Sequence, residues 1–284
     1  MAQIGTIKVE TAGGPVELPV YELGDSGSNR VEAFRVQTAS GPGFVPLTDV
    51  SAADRPYLRV QTGNGVKAFD TSASGIPDSV VAQFDAQTLS GLSDGDVVSS
   101  RVDQSDGGYD LTNGSGTYRV SGLNGYPTVD YNGSSDGHDA ATGLSVTDKF
   151  VVFAVIDPDF GTSPSSNQML CADDSENRGL QYNNTSGWQI FLSGGSFTAS
   201  VGSIGNLITC VVDGSNSVIR QDGSQVGSGS SSGTLDVGAI GYFPNNGARN
   251  FDGDIPFVEI HNGSVSNGLQ TREQQIADMW GLTI

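Results

Sequence analysis

The chain is poor in lysine and has no long apolar run. Of its 284 residues 3 are Lys and 10 are Arg, against 32 Asp and Glu, so the net charge is −19. Nucleic-acid binding depends on clustered Lys and Arg that displace counterions, and this composition therefore argues against a nucleic-acid partner. No apolar run reaches the ~18 residues that cross a bilayer, so we expect no membrane partner.

Aspartate makes up 25 of the 32 acidic residues. Surfaces rich in Asp and poor in Lys hold water and stay soluble where salt screens charge repulsion to a few Å. The composition therefore indicates a protein of an extreme halophile or of its virus, the alternative being an ordinary acidic surface. The start of the chain lacks a basic segment followed by an apolar one, so no secretory signal is predicted.

The chain has only two cysteines, Cys171 and Cys210, which are too few for a disulfide framework. Both lie in apolar strand sequences, which predicts buried free thiols, with a single inter-strand bridge as the alternative. The two histidines, His138 and His261, are far apart in sequence, and no Cys/His metal spacing is present. No metal and no cofactor are predicted.

The first seventy residues contain three copies of a short pattern. Residues 7–11, 34–38 and 58–62 each read apolar–basic–Val–Glu/Gln–Thr, and a Gly-containing turn follows each copy. Alternation before such a turn predicts the first arm of a β-hairpin. Three thin hairpins bury little alone, so we expect them to stack on each other or on copies in other chains, the alternative being a small β domain with accidental similarity.

Three regions follow from these patterns. Residues 1–70 are predicted to form a β-hairpin repeat module for anchoring or oligomerisation. Residues 71–78 are small and polar and contain Pro and Gly, which is typical of a linker. From residue 79 onward, short apolar runs alternate with Asn-Gly and Asp-Gly dipeptides, which accept positive φ and mark hairpin connections. Residues 79–284 are therefore predicted to form an all-β sandwich or jelly roll.

Two segments of this domain have specific predictions. Residues 150–156 are apolar throughout, which predicts a fully buried central strand. Near the end, Thr271 and Gln274 have the spacing of a capping box at the start of a short helix. An apolar stripe and a terminal glycine follow in the helix, at Ile276, Met279, Trp280 and Gly281.

Several segments, in order, resemble concanavalin-A-like lectin/glucanase jelly rolls of the laminin-G-like kind. The segments are 84–86, 103–112, 121–133, 150–156, 221–223 and 251–282. The closing unit of that family reads F-x-G-x-I, E-I, Y-N, a helix, then W-G-L. The matching residues here are Phe251, Gly253, Ile255, Glu259, Ile260, Asn262, Trp280, Gly281 and Leu282. His261 stands where a tyrosine is common. The resemblance covers roughly residues 80–284 and implies a β-sandwich with one short C-terminal helix.

Catalytic members of that superfamily carry E-x-D-x-x-E on one strand, which supplies a nucleophile and a general acid. This sequence has no such motif. The glutamates of the large domain are Glu176, Glu259 and Glu273, which are widely separated, and Asp252 and Asp254 do not complete the alternation with Glu259. The sequence therefore predicts that the protein is not an enzyme and has no catalytic residues.

Binding is the remaining activity that the resemblance implies. Residues 171–177 and 182–188 resemble a rim loop rich in hydrogen-bonding groups with an aromatic nearby, a combination that suits sugars. The candidate carbohydrate-binding residues are Asp173, Asp174, Tyr182, Asn183 and Trp188. Two alternatives stay open. Asp173, Asp174 and Glu176 could form a Ca²⁺ site, or the segment is a solvated acidic loop and Trp188 lies in the core.

Residues 4–69 resemble short N-terminal segments of structural proteins of tailed viruses. Together with the acidic composition and the missing secretory signal, this resemblance implies a virion surface protein of a halophile's virus, such as a capsid turret, spike or tail fibre component, assembled in the host cytoplasm. Its expected partners are itself, as a trimer or pentamer, other virion proteins through the N-terminal module, and a host cell-surface glycan or glycoprotein. The alternatives are a polysaccharide-degrading enzyme of the concanavalin-A-like superfamily and a ligand-free decoration protein.

Overall fold

The computed structural model describes the backbone of six strands between residues 2 and 70. It also describes residues 80–284 except 106, 174–177, 245–248 and 264–267, with the side chains of all but 141 and 142. The chain divides into two compact units, Met1–Gly75 and Ile76–Ile284. The predicted linker, residues 71–78, lies outside the described residues, and the predicted domain boundaries stay a prediction.

The N-terminal unit contains three hairpins, each of which begins with one of the predicted repeats. Its strands are β1 Ala2–Thr11, β2 Gly14–Glu22, β3 Val31–Thr38, β4 Gly41–Pro46, β5 Tyr57–Thr62 and β6 Gly65–Asp70. In each hairpin the threonine that ends the repeat pairs with a glycine three positions later: Thr11 with Gly14, Thr38 with Gly41, Thr62 with Gly65. The first two hairpins join through β2 and β3 into a four-stranded antiparallel sheet, and β5 and β6 form a two-stranded sheet.

The C-terminal unit is a sandwich of two antiparallel sheets, as the sequence predicts. The strands of the eight-stranded sheet are β7 Val80–Asp85, β8 Val97–Val98, β10 Gly116–Arg119, β11 Thr128–Asn132, β13 Lys149–Pro158, β18 Leu207–Gln221, β19 Ser224–Ser231 and β21 Asp252–Asn262. The strands of the seven-stranded sheet are β9 Leu111–Thr112, β12 His138–Thr147, β14 Gln168–Asp173, β15 Gly179–Asn183, β16 Gly187–Leu192, β17 Gly195–Ala199 and β20 Thr234–Ile240.

Strand order brings distant parts of the chain together. The eight-stranded sheet runs β19-β18-β13-β21-β11-β10-β8, with β7 also paired to β21, and the seven-stranded sheet runs β17-β16-β15-β14-β20-β12-β9. Residues 150–156 of β13 are each at most 2% exposed, so the predicted buried central strand is confirmed. Its neighbours are β18 and β21, and the last strand of the chain therefore lies in the middle of its sheet.

Some of the predicted Asn-Gly and Asp-Gly turns have a positive φ at their first residue. Asn113, Asn124 and Asp222 have φ of 50°, 53° and 47°, in the left-handed region that Asn and Asp tolerate best after glycine. The Asp222-Gly223 pair connects β18 to β19 as a hairpin, as the dipeptide predicts. Short 3₁₀ turns occur at Ala86–Thr88 and Leu123–Gly125.

One helix, α1 Leu269–Met279, follows β21 and packs on the sandwich through Ile276, Ala277 and the adjacent Trp280. The predicted capping box is wrong, because α1 begins two residues before Thr271. The N-cap residue is Gly268, which has no side chain to accept a capping hydrogen bond. At the other end Asn124 donates to the carbonyls of Trp280 and Gly281, which satisfies groups that the helix terminus leaves open. Within the described residues, no helix has the length and apolar character needed to span a bilayer.

Cys171 and Cys210 are buried and free, as the apolar strand sequences predict. Burial raises the pKa of the Cys171 thiol to about 12, and it raises the pKa of Cys210 as well. Both groups therefore stay protonated at neutral pH and pack as small apolar side chains.

Candidate functional site

The aromatic residues of the predicted carbohydrate-binding set lie in the core. Trp188 is completely buried and its indole nitrogen donates to the Gln221 side chain at 3.3 Å. Tyr182 is 1% exposed, its ring stands edge-on to Trp188 at 5.3 Å between centroids, and its hydroxyl donates to the Thr162 carbonyl. In these positions neither ring presents a face to a ligand at the surface.

The two described polar residues of that set, Asp173 and Asn183, lie at opposite ends of the paired strands β14 and β15. Asp173 ends β14 and is fully buried, whereas Asp174 lies outside the described residues. The Asn183 side chain serves its own turn, because its oxygen accepts from the Thr185 amide and hydroxyl and from the Ser186 hydroxyl. The structure does not bring the described members of the set together as one surface. The Ca²⁺ alternative needs Asp174 and Glu176, which both lie outside the described residues.

A groove on the seven-stranded sheet is the first candidate site, and we call it the Asp139 groove. Its volume is about 560 Å³, within the range of ligand pockets. Its lining residues come from β9, β12, β20 and the segment after β20: Thr112, Asn113, Asp139, Ala140, Gly143, Leu144, Asp236, Val237, Gly238 and Pro244.

The groove exists because β12 leaves its partner strand and returns. Asp139 pairs with Ala239 and Leu144 pairs with Val237, so four residues of β12 stand opposite one residue of β20. Gly143, with φ of 65°, ends the excursion in a conformation that most side chains avoid. Such bulges redirect side chains and are frequent beside functional sites.

The Asp139 carboxylate is held in place inside the groove. The Asn113 amide donates to its Oδ2 atom at 3.1 Å, and the Tyr242 hydroxyl donates to its Oδ1 atom. A Cβ atom at Gly137 would stand 2.1 Å from the Tyr242 ring, so glycine is required there for the ring to reach this position. The carboxylate keeps lone pairs that a ligand hydroxyl can occupy.

Asp236 faces the same groove from β20. It is half-buried between the inward-facing core residues Leu235 and Val237, so its side chain points away from the core. No residue that the structure describes donates a hydrogen bond to its carboxylate. Pro244 supplies apolar surface at the edge of the groove. The groove thus combines fixed and open oxygen acceptors, an amide donor and an apolar wall.

A row of three aspartates on the eight-stranded sheet is the second candidate site, and we call it the Asp row. Asp254 on β21 pairs with Asp130 on β11 at one side and with Asp157 on β13 at the other. Cross-strand partners have Cβ atoms ~4.5–5.5 Å apart, and like charges directly opposite each other are destabilising. Arg119 offsets part of this repulsion through a 2.5 Å ion pair with Asp130.

A bulge in β21 sets the register of the Asp row. Val155 pairs with Phe257 and Asp157 with Asp254, so β21 carries one extra residue, at Ile255 or Pro256. The buried Arg101 guanidinium donates to the carbonyls of both bulge residues, at 2.9 and 2.8 Å. Proline lacks an N–H and is tolerated at such irregularities.

Two carboxyls of the Asp row, those of Asp254 and Asp157, have pKa values above those of ordinary surface aspartates. Burial, together with the charges of Asp130, Asp157 and Asp159, raises the pKa of Asp254 to about 6. Burial and Asp159 also raise the pKa of Asp157. A carboxyl with a raised pKa beside ionised carboxylates is the arrangement that separates an acid from a base in carboxylate catalysis.

Glu259 belongs to neither site. It is completely buried and accepts hydrogen bonds from Arg272, His261 and Gln83. Burial alone would raise the pKa of this carboxyl, but Arg272 and His261 outweigh burial and hold it at about 2. Glu259 therefore joins β21 to α1 as a structural group. Across the described residues, no three His, Cys, Asp or Glu side chains are placed to hold a metal ion.

The sequence predicts neither candidate site, and the reason is the same for both. The Asp row combines one residue from each of three strands, and the Asp139 groove combines residues whose proximity depends on a bulge. A search for carboxylates that alternate along one strand finds neither. The Asn113-Gly114 dipeptide, at which Asn113 enters the groove, predicts a hairpin connection, but the strands on its two sides, β9 and β10, lie in different sheets.

No model of a protein family matches the chain, and no curated protein matches it in sequence. Some solved structures are similar at low identity. Domain 4 of AbnA, a GH43 extracellular arabinanase from Geobacillus stearothermophilus, in complex with arabinotriose, is 15% identical, with a TM-score of 0.48, over 70% of this chain and 99% of that one. Trypanosoma rangeli sialidase in complex with the inhibitor DANA is 11% identical, with a TM-score of 0.47, over 97% of this chain and 53% of that one.

The botulinum neurotoxin serotype D binding domain is 12% identical, with a TM-score of 0.41, over 70% of this chain and 50% of that one. The chain thus spans about half the length of the sialidase and neurotoxin chains. The three structures support none of the viral features inferred from residues 4–69.

The prediction of a protein that is not an enzyme is corrected by these similarities, because the similar structures include a sialidase and a domain of an arabinanase. The absence of E-x-D-x-x-E excludes one arrangement of carboxylates on one strand. It does not exclude carboxylates that three strands contribute.

Proposed function

We propose that the sandwich, residues 80–284, is a carbohydrate-binding module and that the Asp139 groove holds the glycan. The observation that carries the proposal is the fixed Asp139 carboxylate, which Asn113 and Tyr242 orient toward the groove. Sugar hydroxyls donate strong hydrogen bonds to carboxylates and accept them from amides. Pre-oriented groups of this kind lower the entropy that binding costs.

The volume and composition of the groove support the same proposal. A space of about 560 Å³ is large enough for a few sugar rings. Pro244 offers an apolar contact for the C–H face of a ring, while Thr112 and Asp236 add polar groups. Ligand sites typically combine such an apolar lining with a few placed polar atoms.

A glycan array tests the proposal directly. The full-length protein is applied to immobilised neutral and acidic oligosaccharides, together with a variant that carries Asp139→Ala and Asp236→Ala. We expect the wild type to retain at least one glycan and the variant to lose it. A matched control is Asp278→Ala, which removes an exposed carboxylate on α1. Failure to bind any glycan, or unchanged binding by the double variant, would contradict the proposal.

A second candidate function is glycoside hydrolysis at the Asp row. Asp254, with its raised pKa, would protonate the glycosidic oxygen, and Asp130 or Asp157 would act as the ionised partner. This function is tested by the release of reducing ends from polysaccharides near pH 6. Asp254→Asn should abolish release, whereas Asp139→Asn should leave the chemical step at the Asp row unchanged.

We also propose display on the surface of a virion of a halophile's virus, with residues 1–70 as the attachment and oligomerisation module. The three hairpins of equal register and the excess of Asp over Lys support this proposal. Light scattering of the full chain at high and low salt tests it. A trimer or pentamer is expected, and a monomer at every salt concentration would contradict self-association.

A further inference from the structure

We infer that the Asp139 groove selects uncharged glycans and rejects acidic ones. This inference rests on the proposed carbohydrate binding and adds the class of sugar. Among the residues that the structure describes, the lining of the groove includes two carboxylates, Asp139 and Asp236, and neither lysine nor arginine. Uronic and sialic acids carry a carboxylate at neutral pH, which would enter this groove without a counter-charge.

Hydrogen bonds hold the Asp139 carboxylate in position without neutralising its charge. Its two hydrogen-bond donors, the Asn113 amide and the Tyr242 hydroxyl, are both uncharged. Asp236 likewise has no cationic partner among the residues that the structure describes. The groove therefore keeps two formal negative charges when it is occupied by a neutral ligand.

The ion pairs that the structure describes between Lys or Arg and carboxylates of the sandwich lie away from the groove lining. Arginine and lysine neutralise carboxylates away from the groove, in the pairs Arg119–Asp130, Lys149–Asp213, Arg220–Glu273 and Arg272–Glu259. Arg249 stands over the Phe243 ring, 5.5 Å from its centroid, and is not part of the groove lining. An acidic sugar in the groove would thus lie close to two carboxylates and beside no lining cation.

The two kinds of glycan should differ clearly in affinity. A hydroxyl of a neutral sugar gains a charge-assisted hydrogen bond from either carboxylate. A sugar carboxylate within ~5 Å of both groups is repelled by each, which in a water-exposed site weakens binding about tenfold or more. Because the groove is open to solvent, salt should reduce this difference: the screening length falls from ~10 Å at 0.1 M to ~3 Å at 1 M.

The test uses matched pairs of tetrasaccharides and the full-length protein. Each pair consists of a neutral hexose chain and the uronic acid chain that differs from it only at C6: glucose and glucuronic acid, mannose and mannuronic acid, galactose and galacturonic acid. Affinities are measured by titration calorimetry in low and high salt. We expect the neutral member of at least one pair to bind, its uronic acid counterpart to bind at least about tenfold more weakly, and the gap to narrow in high salt.

Two variants connect this selectivity to the groove. Asp236→Asn should narrow the gap between the neutral and the uronic acid chain several-fold, because it removes one repelling charge from the uronate and one charge-assisted hydrogen bond from the neutral sugar. Asp278→Asn, which makes the same change of charge on α1, should leave the gap unchanged. Equal or tighter binding of the uronic acid chain, or a gap that Asp236→Asn does not alter, would overturn the inference while carbohydrate binding stands. Binding of no tetrasaccharide in any pair would overturn both proposals.

Discussion

Arg272 on α1 donates hydrogen bonds from two guanidinium nitrogens to both carboxylate oxygens of Glu259 on β21. Both side chains are at most 3% exposed, so this ion pair joins the final helix to the central strand inside the protein. A similar buried pair, Arg220 with Glu273, connects the same helix to β18. The closing unit of the chain is thus fixed by charge as well as by the apolar contacts of Ile276 and Trp280.

Breaking the Glu259–Arg272 pair should strongly destabilise the sandwich. Glu259→Gln removes the carboxylate that is paired with the buried Arg272 guanidinium, and breaking a buried pair in this way typically costs about 3–5 kcal/mol. The free energy of unfolding from urea titration measures this loss. Asp213→Asn, which breaks an exposed pair with Lys149, is the control and should cost under about 1 kcal/mol. Equal effects of the two substitutions would contradict this role of Glu259.

The Asp row should make stability fall as the pH rises through weakly acidic values. The folded pKa of Asp254 is about 6, above its ordinary value of 3.8, so its contribution is complete below 3.8 and is lost as the pH rises toward 6. Asp254→Asn should therefore be more stable than the wild type at pH 7, by about 1 kcal/mol after allowance for partial exposure.

The measurement is thermal unfolding of both proteins from pH 4 to pH 7. Asp85, whose pKa is also raised to about 6, is present in both and does not affect their difference. A difference between wild type and Asp254→Asn that is constant across this range would show that Asp254 titrates normally.

Tyr242 should influence binding more than it influences folding. Tyr242→Phe removes the hydroxyl that holds Asp139, and a lost hydrogen bond of this kind costs about 1 kcal/mol, or several-fold in glycan affinity. Titration calorimetry with a bound glycan measures the change. The control Tyr126→Phe alters a tyrosine whose ring packs on Trp280 instead, and its affinity should equal that of the wild type.

Trp188 should act through stability alone. Its indole is buried against Tyr182, so Trp188→Phe leaves a cavity and removes the hydrogen bond to Gln221, at a cost of about 2 kcal/mol. Glycan affinity, measured at a temperature where the variant is folded, should be unchanged. A large loss of affinity without loss of stability would instead place Trp188 in the binding site.

Local sequence signals predicted the fold well. Residues 150–156 are apolar without interruption, and a strand with both faces covered needs that composition. Asn113, Asn124 and Asp222 precede glycines and adopt the positive φ that such dipeptides favour. These features depend on near neighbours in the chain, which a single sequence displays. The capping-box prediction is wrong because α1 begins at Leu269, two residues before Thr271. Packing, rather than a cap at Thr271, sets the first turn of the helix.

The candidate sites depend on pairing between distant strands, which a single sequence does not display. Asp130 lies opposite Asp254 through the β11–β21 pairing, and Asp157 does so only because β21 carries a bulge of one residue, whose carbonyls accept hydrogen bonds from Arg101. The same limit explains why the sequence predicts Trp188 and Tyr182 as carbohydrate-binding residues although both lie in the core. Whether a strand residue faces the rim or the core depends on the sheet that covers it, and alternation alone gives two faces without saying which is buried.

Amide hydrogen exchange with and without a bound glycan tests the central claim most directly, since it locates the ligand on the sandwich. The account predicts that the glycan slows exchange in residues 111–113, 138–144 and 236–240, which form the Asp139 groove. Protection confined to β11 and β21 around Asp130 and Asp254, or to residues 182–188, would contradict the claim that the groove is where this protein binds carbohydrate.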